Sequence, residues 1–176
     1  MRTFIAIKLP EEVSAKLKPV VSQLNTSSAK MTFVKDFHLT LKFLGEVDAS
    51  RIEELKKTLA KVKFEAFEAE FTNLGFFPNE NYVRIIYIGL KPEQQFCSLQ
   101  KTIESALPKF KKDSRFEPHI TLARVKFIKD KAEFKNAISK IKLPEFPKFK
   151  VDCFKLMKST LMPEGPVYEE LATVQP

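Results

Sequence analysis

One tetrapeptide occurs twice in this chain, and that repeat constrains the fold more than any other feature. His38-Leu39-Thr40-Leu41 and His119-Ile120-Thr121-Leu122 share the form His-apolar-Thr-apolar. They lie 81 positions apart in a chain of 176 residues, and they contain both of its histidines. Each sits in a run with strand character, 37–47 and 119–127. Side chains alternate between the two faces of a strand. Leu39, Leu41 and Phe43, and likewise Ile120 and Leu122, are therefore expected on core faces. His38 with Thr40, and His119 with Thr121, are expected together on the opposite faces. A strand of this kind in each half predicts two similar lobes packed as one domain over 1–176, with a cleft between them.

The remaining pattern supports an α+β chain. Apolar runs at 3–9, 64–77, 82–90, 149–157 and 167–174 read as strands, and 31–34 reads as a short extended piece. Helices are expected where apolar residues recur at helical spacing. These are Val13, Leu17, Val20 and Leu24; Ile52, Leu55, Leu59 and Val62; Phe96, Leu99, Ile103 and Leu107; and a final one over 132–141. Pro10-Glu11-Glu12 suits a helix start, with two acids near its positive end. Turns are expected at 78–81 and 162–166. Hairpin-linked strands alternating with helices predict two mostly antiparallel sheets, with the helices packed outside.

Composition removes several classes of function. No apolar run approaches the roughly 20 residues that a membrane-spanning helix needs. Residues 1–10 carry Lys8 and no small-residue cleavage site, so they read as a strand and not as a signal peptide. Cys97 and Cys153 are too far apart to form a metal knuckle, and a reducing cytoplasmic setting is the default. Two histidines and four glycines supply neither an ordinary zinc site nor a phosphate-cradling loop. No metal or cofactor is therefore expected. The formal charge of +8 suits a polyanionic partner such as RNA.

The paired motifs have a chemical use. If the two strands lie side by side, one cleft holds two imidazoles and two hydroxyls. Imidazole titrates near neutrality, so one ring can act as base while the other acts as acid. A base and an acid flanking one phosphorus suffice for in-line phosphoryl transfer, with a rate that falls on both sides of an optimum near neutrality. Thr40 and Thr121 can donate to the non-bridging phosphate oxygens.

Longer blocks around the motifs carry a family resemblance. The segment Phe37-His38-Leu39-Thr40-Leu41-Lys42-Phe43-Leu44-Gly45-Glu46-Val47 resembles the first motif of the 2H phosphoesterase superfamily. Phe116-Glu117-Pro118-His119-Ile120-Thr121-Leu122-Ala123-Arg124-Val125 resembles the second. The opening residues Met1 to Ile7, and Gly165-Pro166-Val167-Tyr168 with Leu171, are similar to the terminal strands of its RNA 2′,3′-cyclic phosphodiesterase branch, the LigT-like or 2′-5′ RNA ligase family. The resemblance implies a bilobal fold with pseudo-twofold symmetry. It implies hydrolysis of an RNA-terminal 2′,3′-cyclic phosphate to a 2′-phosphate, with His38 as acid and His119 as base. It also implies 2′-5′ end joining without a nucleotide cofactor, a tRNA or other cyclic-ended RNA as partner, and a monomer.

Neighbouring residues divide by strand parity. Arg124 matches a phosphate-contacting arginine of the family, yet an ideal strand aims it away from His119, and only a bulge or a strand end would re-aim it. Lys42 shares parity with His38, whereas Phe37 belongs to the core. Tyr168 is either a half-buried strand tyrosine or a ring on which a base stacks. Lys109, Lys111, Lys112 and Arg115 form a basic cluster, either solvated or tracking an RNA backbone. Two other functions fit the composition. One is the same chemistry on small cyclic nucleotides. The other is a non-catalytic RNA-binding module, which gives no reason for paired histidines.

Overall fold

The computed structural model describes residues 1–163 and 165–176. The chain runs β1 (Arg2–Lys8), α1 (Glu11–Gln23), β2 (Ala29–Phe33), β3 (His38–Glu46), a 3-10 turn (Ala49–Arg51), α2 (Ile52–Leu59), β4 (Phe67–Asn79), β5 (Tyr82–Lys91), α3 (Glu93–Ala106), β6 (His119–Ile128), α4 (Lys131–Ser139), β7 (Phe149–Val151), β8 (Phe154–Met162) and β9 (Gly165–Val174). The strands form two antiparallel sheets, one ordered β3-β1-β8-β9 and the other β2-β6-β5-β4-β7. The fold is α+β, as the alternation of helices and hairpins predicts.

Each sheet carries one motif strand, but the sheets are not the two halves of the chain. The second strand, β2, pairs with β6 in the other sheet, while β8 returns to pair with β1 and β9 pairs with β8 at the sheet edge. The apolar run at 149–157 divides at Asp152 and Cys153 into β7 and β8, which belong to different sheets. The turn expected at 162–166 contains Glu164, which lies outside the described residues.

This interleaving holds the motifs together. The N–H of Val34, just past β2, donates to the carbonyl of Leu122 in the second motif at 2.9 Å. His38 follows Val34 by four positions, so a chain of at most about 14 Å separates that bond from the first motif. The strands β3 and β6 also touch each other directly.

One continuous core lies under both sheets and is built from Ile5, Ile7, Leu39, Leu41, Ile86, Ile88, Ile120 and Leu122 with the apolar faces of the helices. A smaller cluster of Phe4, Ala6 and Met157 packs on the other side of β1, against Tyr168. Burial on both sides explains the uninterrupted apolar run of β1, since a strand covered on both faces has no polar face to present.

Both motif strands carry a β-bulge at the same place. Along β1, Ala6 faces Thr40 and Ile5 faces Lys42, so Leu41 is the extra residue. Along β5, Tyr87 faces Thr121 and Ile86 faces Ala123, so Leu122 is the extra residue. A bulge shifts the alternation by one for everything after it. Lys42 and Ala123 therefore turn into the core, with exposures of 1% and 0%. Phe43 and Arg124 turn out onto the histidine faces. Phe43, expected in the core, is instead 61% exposed.

Lys42, whose parity placed it beside His38, is for this reason a structural cation. Its ammonium donates to the Glu104 carboxylate at 2.8 Å and to the Lys111 carbonyl at 2.8 Å, and it lies 3.4 Å from Asp113. Glu104 also accepts from the Asp113 N–H at 2.9 Å. These bonds satisfy all three ammonium protons and fasten the loop after α3 to the first motif strand. Lys42 holds the Glu104 carboxyl below the usual carboxylate range, helped by the Asp113 N–H.

Candidate active site

Each histidine opens its strand, and each ring is held in the same way. Nδ1 of His38 bonds the Asp36 carbonyl at 2.9 Å, and Nδ1 of His119 bonds the Glu117 carbonyl at 2.6 Å. A carbonyl only accepts, so Nδ1 carries the proton in both rings. Among the described residues neither Nε2 has a hydrogen-bond partner, so Nε2 of each neutral ring is left as an acceptor, directed away from its anchoring carbonyl.

Two aromatic rings flank each imidazole. The centroid of His38 lies 5.2 Å from that of Phe4 and 5.1 Å from that of Tyr168, the latter edge-on. His119 lies 5.0 Å from Phe77 and 5.2 Å from Tyr87, both edge-on. Phe77 and Tyr87 stack on each other at 4.2 Å. Tyr87 reaches this position by lying across Gly75, where any Cβ would collide with the phenol ring. Its hydroxyl donates to Glu117 at 3.0 Å, and Glu117 also pairs with Arg115 at 3.0 Å. Burial, followed by that carboxylate bond, pushes the Tyr87 phenol up to about 12, so it remains a donor.

Burial is the main influence on both imidazoles and lowers both below the ordinary histidine value. The bonded carbonyl and the nearby acid, Asp36 or Glu117, act in the opposite direction. The Arg124 charge lowers both rings, and Lys8 adds to this at His38. Arg124 thus lies close enough to act on both histidines, although they belong to different sheets. It can do so because of the bulge at Leu122. Burial thus disfavours the charged form of both rings in the free protein.

Thr40 and Thr121 are half-buried on the same faces as the histidines. Their cross-strand partners are Ala6 and Tyr87. The site therefore offers two imidazoles, two hydroxyls and one guanidinium, a set suited to an anionic ester that needs proton transfer at two oxygens. Among the described residues, no three His, Cys, Asp or Glu side chains converge in a metal-ligating group.

The family model described as the 2′-5′ RNA ligase superfamily matches residues 8–161. The chain belongs to this superfamily. It is a LigT-like 2H phosphoesterase, as the two motif blocks imply. It is 36% identical over 171 residues to a Methanocaldococcus jannaschii protein named RNA 2′,3′-cyclic phosphodiesterase, covering 96% of this chain and 97% of that one. It is 35% identical over 181 residues to a Thermotoga maritima protein of the same name, covering 99% and 95%. Among solved structures, a Thermus thermophilus protein superposes with a TM-score of 0.78 at 29% identity, covering 99% and 97%. The fold is shared with Escherichia coli LigT, solved with 3′-AMP, at a TM-score of 0.74 and 22% identity, covering 99% and 96%.

Several features of this 2H phosphoesterase site do not follow from the motifs. Phe4, Phe77 and Tyr87 belong to strands whose pairing partners cannot be read from the sequence. The parity of Tyr87 relative to the core residues Ile86 and Ile88 was the available signal. Of the basic cluster, Arg115 lines the cavity beside His119. Lys109 pairs with Glu54 on α2 at 3.8 Å, and Lys111 contributes only its carbonyl to Lys42. Phe37 is buried at 3%, as expected. Tyr168 is half-buried against His38.

Proposed function

We propose that this chain is an RNA 2′,3′-cyclic phosphodiesterase that works by two-histidine acid–base catalysis, without metal or cofactor. The observation that carries the reading is the matched pair of imidazoles. Each has Nδ1 tied to a backbone carbonyl and, among the described residues, no partner at Nε2. The relatives' shared name gives the substrate, an RNA end bearing a cyclic phosphate, and the charge of +8 suits it.

In the proposed reaction, Nε2 of His119 takes a proton from water as the water oxygen attacks phosphorus. The P–O3′ bond breaks in line, and Nε2–H of His38 donates its proton to the leaving 3′-oxygen. The products are a 2′-phosphate and a free 3′-hydroxyl. Thr40 and Thr121 donate to the non-bridging oxygens, and Arg124 offsets their charge. The phosphate anion raises the pKa of the neighbouring imidazole on binding, which favours the charged His38 in the complex against the opposing effect of burial. A 5′-hydroxyl in place of water gives a 2′-5′ linkage by the same steps, so end joining belongs to the proposal. So do a monomeric state, a cytoplasmic setting and tRNA ends as a natural source of substrate. No helix among the described residues is long and apolar enough to cross a membrane.

The test is incubation of a cyclic-ended RNA oligomer with the protein in excess chelator, with the product ends mapped. A 2′-phosphate product is expected. A 3′-phosphate product, or activity that chelator abolishes and a divalent ion restores, overturns the mechanism.

A further inference from the structure

A cavity of about 480 Å³ opens beside His119 and is lined by Phe77, Pro78, Arg84, Ile85, Arg115 and Glu117. The walls combine apolar side chains with two guanidinium groups, and the two cations are not equivalent. Arg115 has its charge met by the Glu117 carboxylate at 3.0 Å. Arg84 is held by neutral oxygens. Its Nε donates to the Tyr82 hydroxyl at 3.0 Å, and one terminal nitrogen donates to the Lys126 carbonyl at 3.0 Å. It also lies over the Tyr82 ring, 4.8 Å from the centroid. These contacts orient the guanidinium without cancelling its charge.

The position of Arg84 along the strand matters as much as its charge. On β5, Gly89 faces His119, Tyr87 faces Thr121 and Ile85 faces Arg124, with Arg84 next in line. The guanidinium therefore stands beyond the reacting end of the site, in the same cavity as His119. From the level of Tyr87 to that of Arg84 is roughly 10 Å of strand, a distance that a long arginine side chain can shorten.

We propose that this cavity receives the terminal nucleotide and that Arg84 binds the 5′-phosphate one ribose upstream of the cyclic end. The proposal rests on the phosphodiesterase reading and goes further, because it makes Arg84 the residue that selects an RNA end over a free nucleoside cyclic phosphate. The ribose lies between the two phosphates, so a cation beside the imidazole site but outside the reacting group meets the upstream phosphate. Phe77, Pro78 and Ile85 provide apolar wall for the intervening nucleoside.

The experiment compares kcat/KM on three substrates: a nucleoside 2′,3′-cyclic phosphate, the same compound with a 5′-phosphate, and a cyclic-ended trinucleotide. The native protein is expected to prefer the second and third over the first by about 10–100-fold, the range of one charged hydrogen-bonded contact, with the preference falling as salt rises. Arg84→Gln is expected to remove that preference while leaving the nucleoside cyclic phosphate within about twofold of native. Arg84 is exposed, so a thermal melt is expected to be unchanged. Tyr82→Phe keeps the ring but loses the orienting hydroxyl, and is expected to give a smaller loss on the phosphorylated substrates alone. Equal effects of Arg84→Gln on all three substrates, or no effect on any, overturn the assignment while leaving the phosphodiesterase reading intact. No turnover of any substrate by the native protein overturns both.

Discussion

The two half-sites share a backbone and differ in what that backbone carries. In both, a histidine opens the strand, its Nδ1 meets the carbonyl two residues earlier, a threonine follows at the same interval, and a bulge falls on the next leucine. After the bulge the side chains diverge. Where the first strand buries Lys42 and turns out Phe43, the second buries Ala123 and turns out Arg124. Opposite the threonine stands Ala6 in one half and Tyr87 in the other. One half thus uses its cation to anchor a loop, and the other turns its cation out onto the histidine face. A duplicated frame can provide two equivalent imidazoles, but a single phosphate needs only one counter-charge. The symmetry lies in the backbone and is broken in the side chains.

Removing the imidazoles tests this comparison most severely. His38→Ala and His119→Ala are each expected to lower kcat by about 10²–10⁴-fold with the fold intact. A phosphodiester with an acidic phenol leaving group should separate them. Such a leaving group needs no proton, so His38→Ala should recover most of its rate on it and His119→Ala should not. Equal recovery would show that the half-sites exchange roles.

Removing one hydroxyl from each half comes next. Thr40→Val and Thr121→Val keep shape and are expected to reduce kcat by up to about 10²-fold. A shift in thermal stability with unchanged turnover in both would assign the hydroxyls to packing.

Lys42→Met probes the half-site that buries its cation. Removing one partner of a buried ion pair costs about 3 kcal/mol, read as a lower denaturant midpoint. The loss should be full near pH 7 and shrink in acid. Glu104 sits below its unfolded value because of Lys42, so its contribution exists above the usual carboxylate range and disappears as pH falls through it. The corresponding substitution in the second strand, Ala123→Val, should show no such pH dependence.

Smaller effects are expected from Gly75→Ala and from pH. The added methyl displaces the Tyr87 ring and should loosen the cage of His119 alone, lowering kcat several-fold, an effect that Tyr87→Ala in the same chain should abolish. The pH dependence of kcat/KM should be bell-shaped. Both imidazoles are lowered by burial, so its maximum should lie on the acid side of the ordinary histidine value of 6.5. The optimum near neutrality expected from unperturbed rings moves for this reason. The kcat optimum should lie higher, because bound phosphate raises the imidazole it faces. Stability should be full above the unfolded histidine value and decline as pH drops below it, since the unfolded rings take up protons first. A kcat/KM maximum well above neutrality would contradict the burial of both rings.

Much of this protein is readable from order and spacing. The helices follow from apolar residues at helical intervals and the strands from β-branched and aromatic runs, because local periodicity reports which face is buried. The two motifs stand out because both histidines of the chain fall into one pattern. The parity rule placed Phe37 in the core, where it lies, but it failed for Lys42, Phe43 and Arg124. All three follow a bulge, and a bulge depends on the partner strand's register, which a single strand does not encode.

By itself, then, the sequence determined the element types, the duplicated motifs, the side on which each histidine and threonine stands, and the positive charge that suits RNA. Only the tertiary structure decided that β2 and β8 cross between sheets, that Lys42 is buried while Arg124 turns out on the histidine face, and that Arg84 shares a cavity with His119. The physical reason is range. Alternation and helical periodicity are set by neighbours a few residues apart. Strand partners, bulges and cavity walls are set by residues tens of positions apart, whose meeting depends on how the whole core packs.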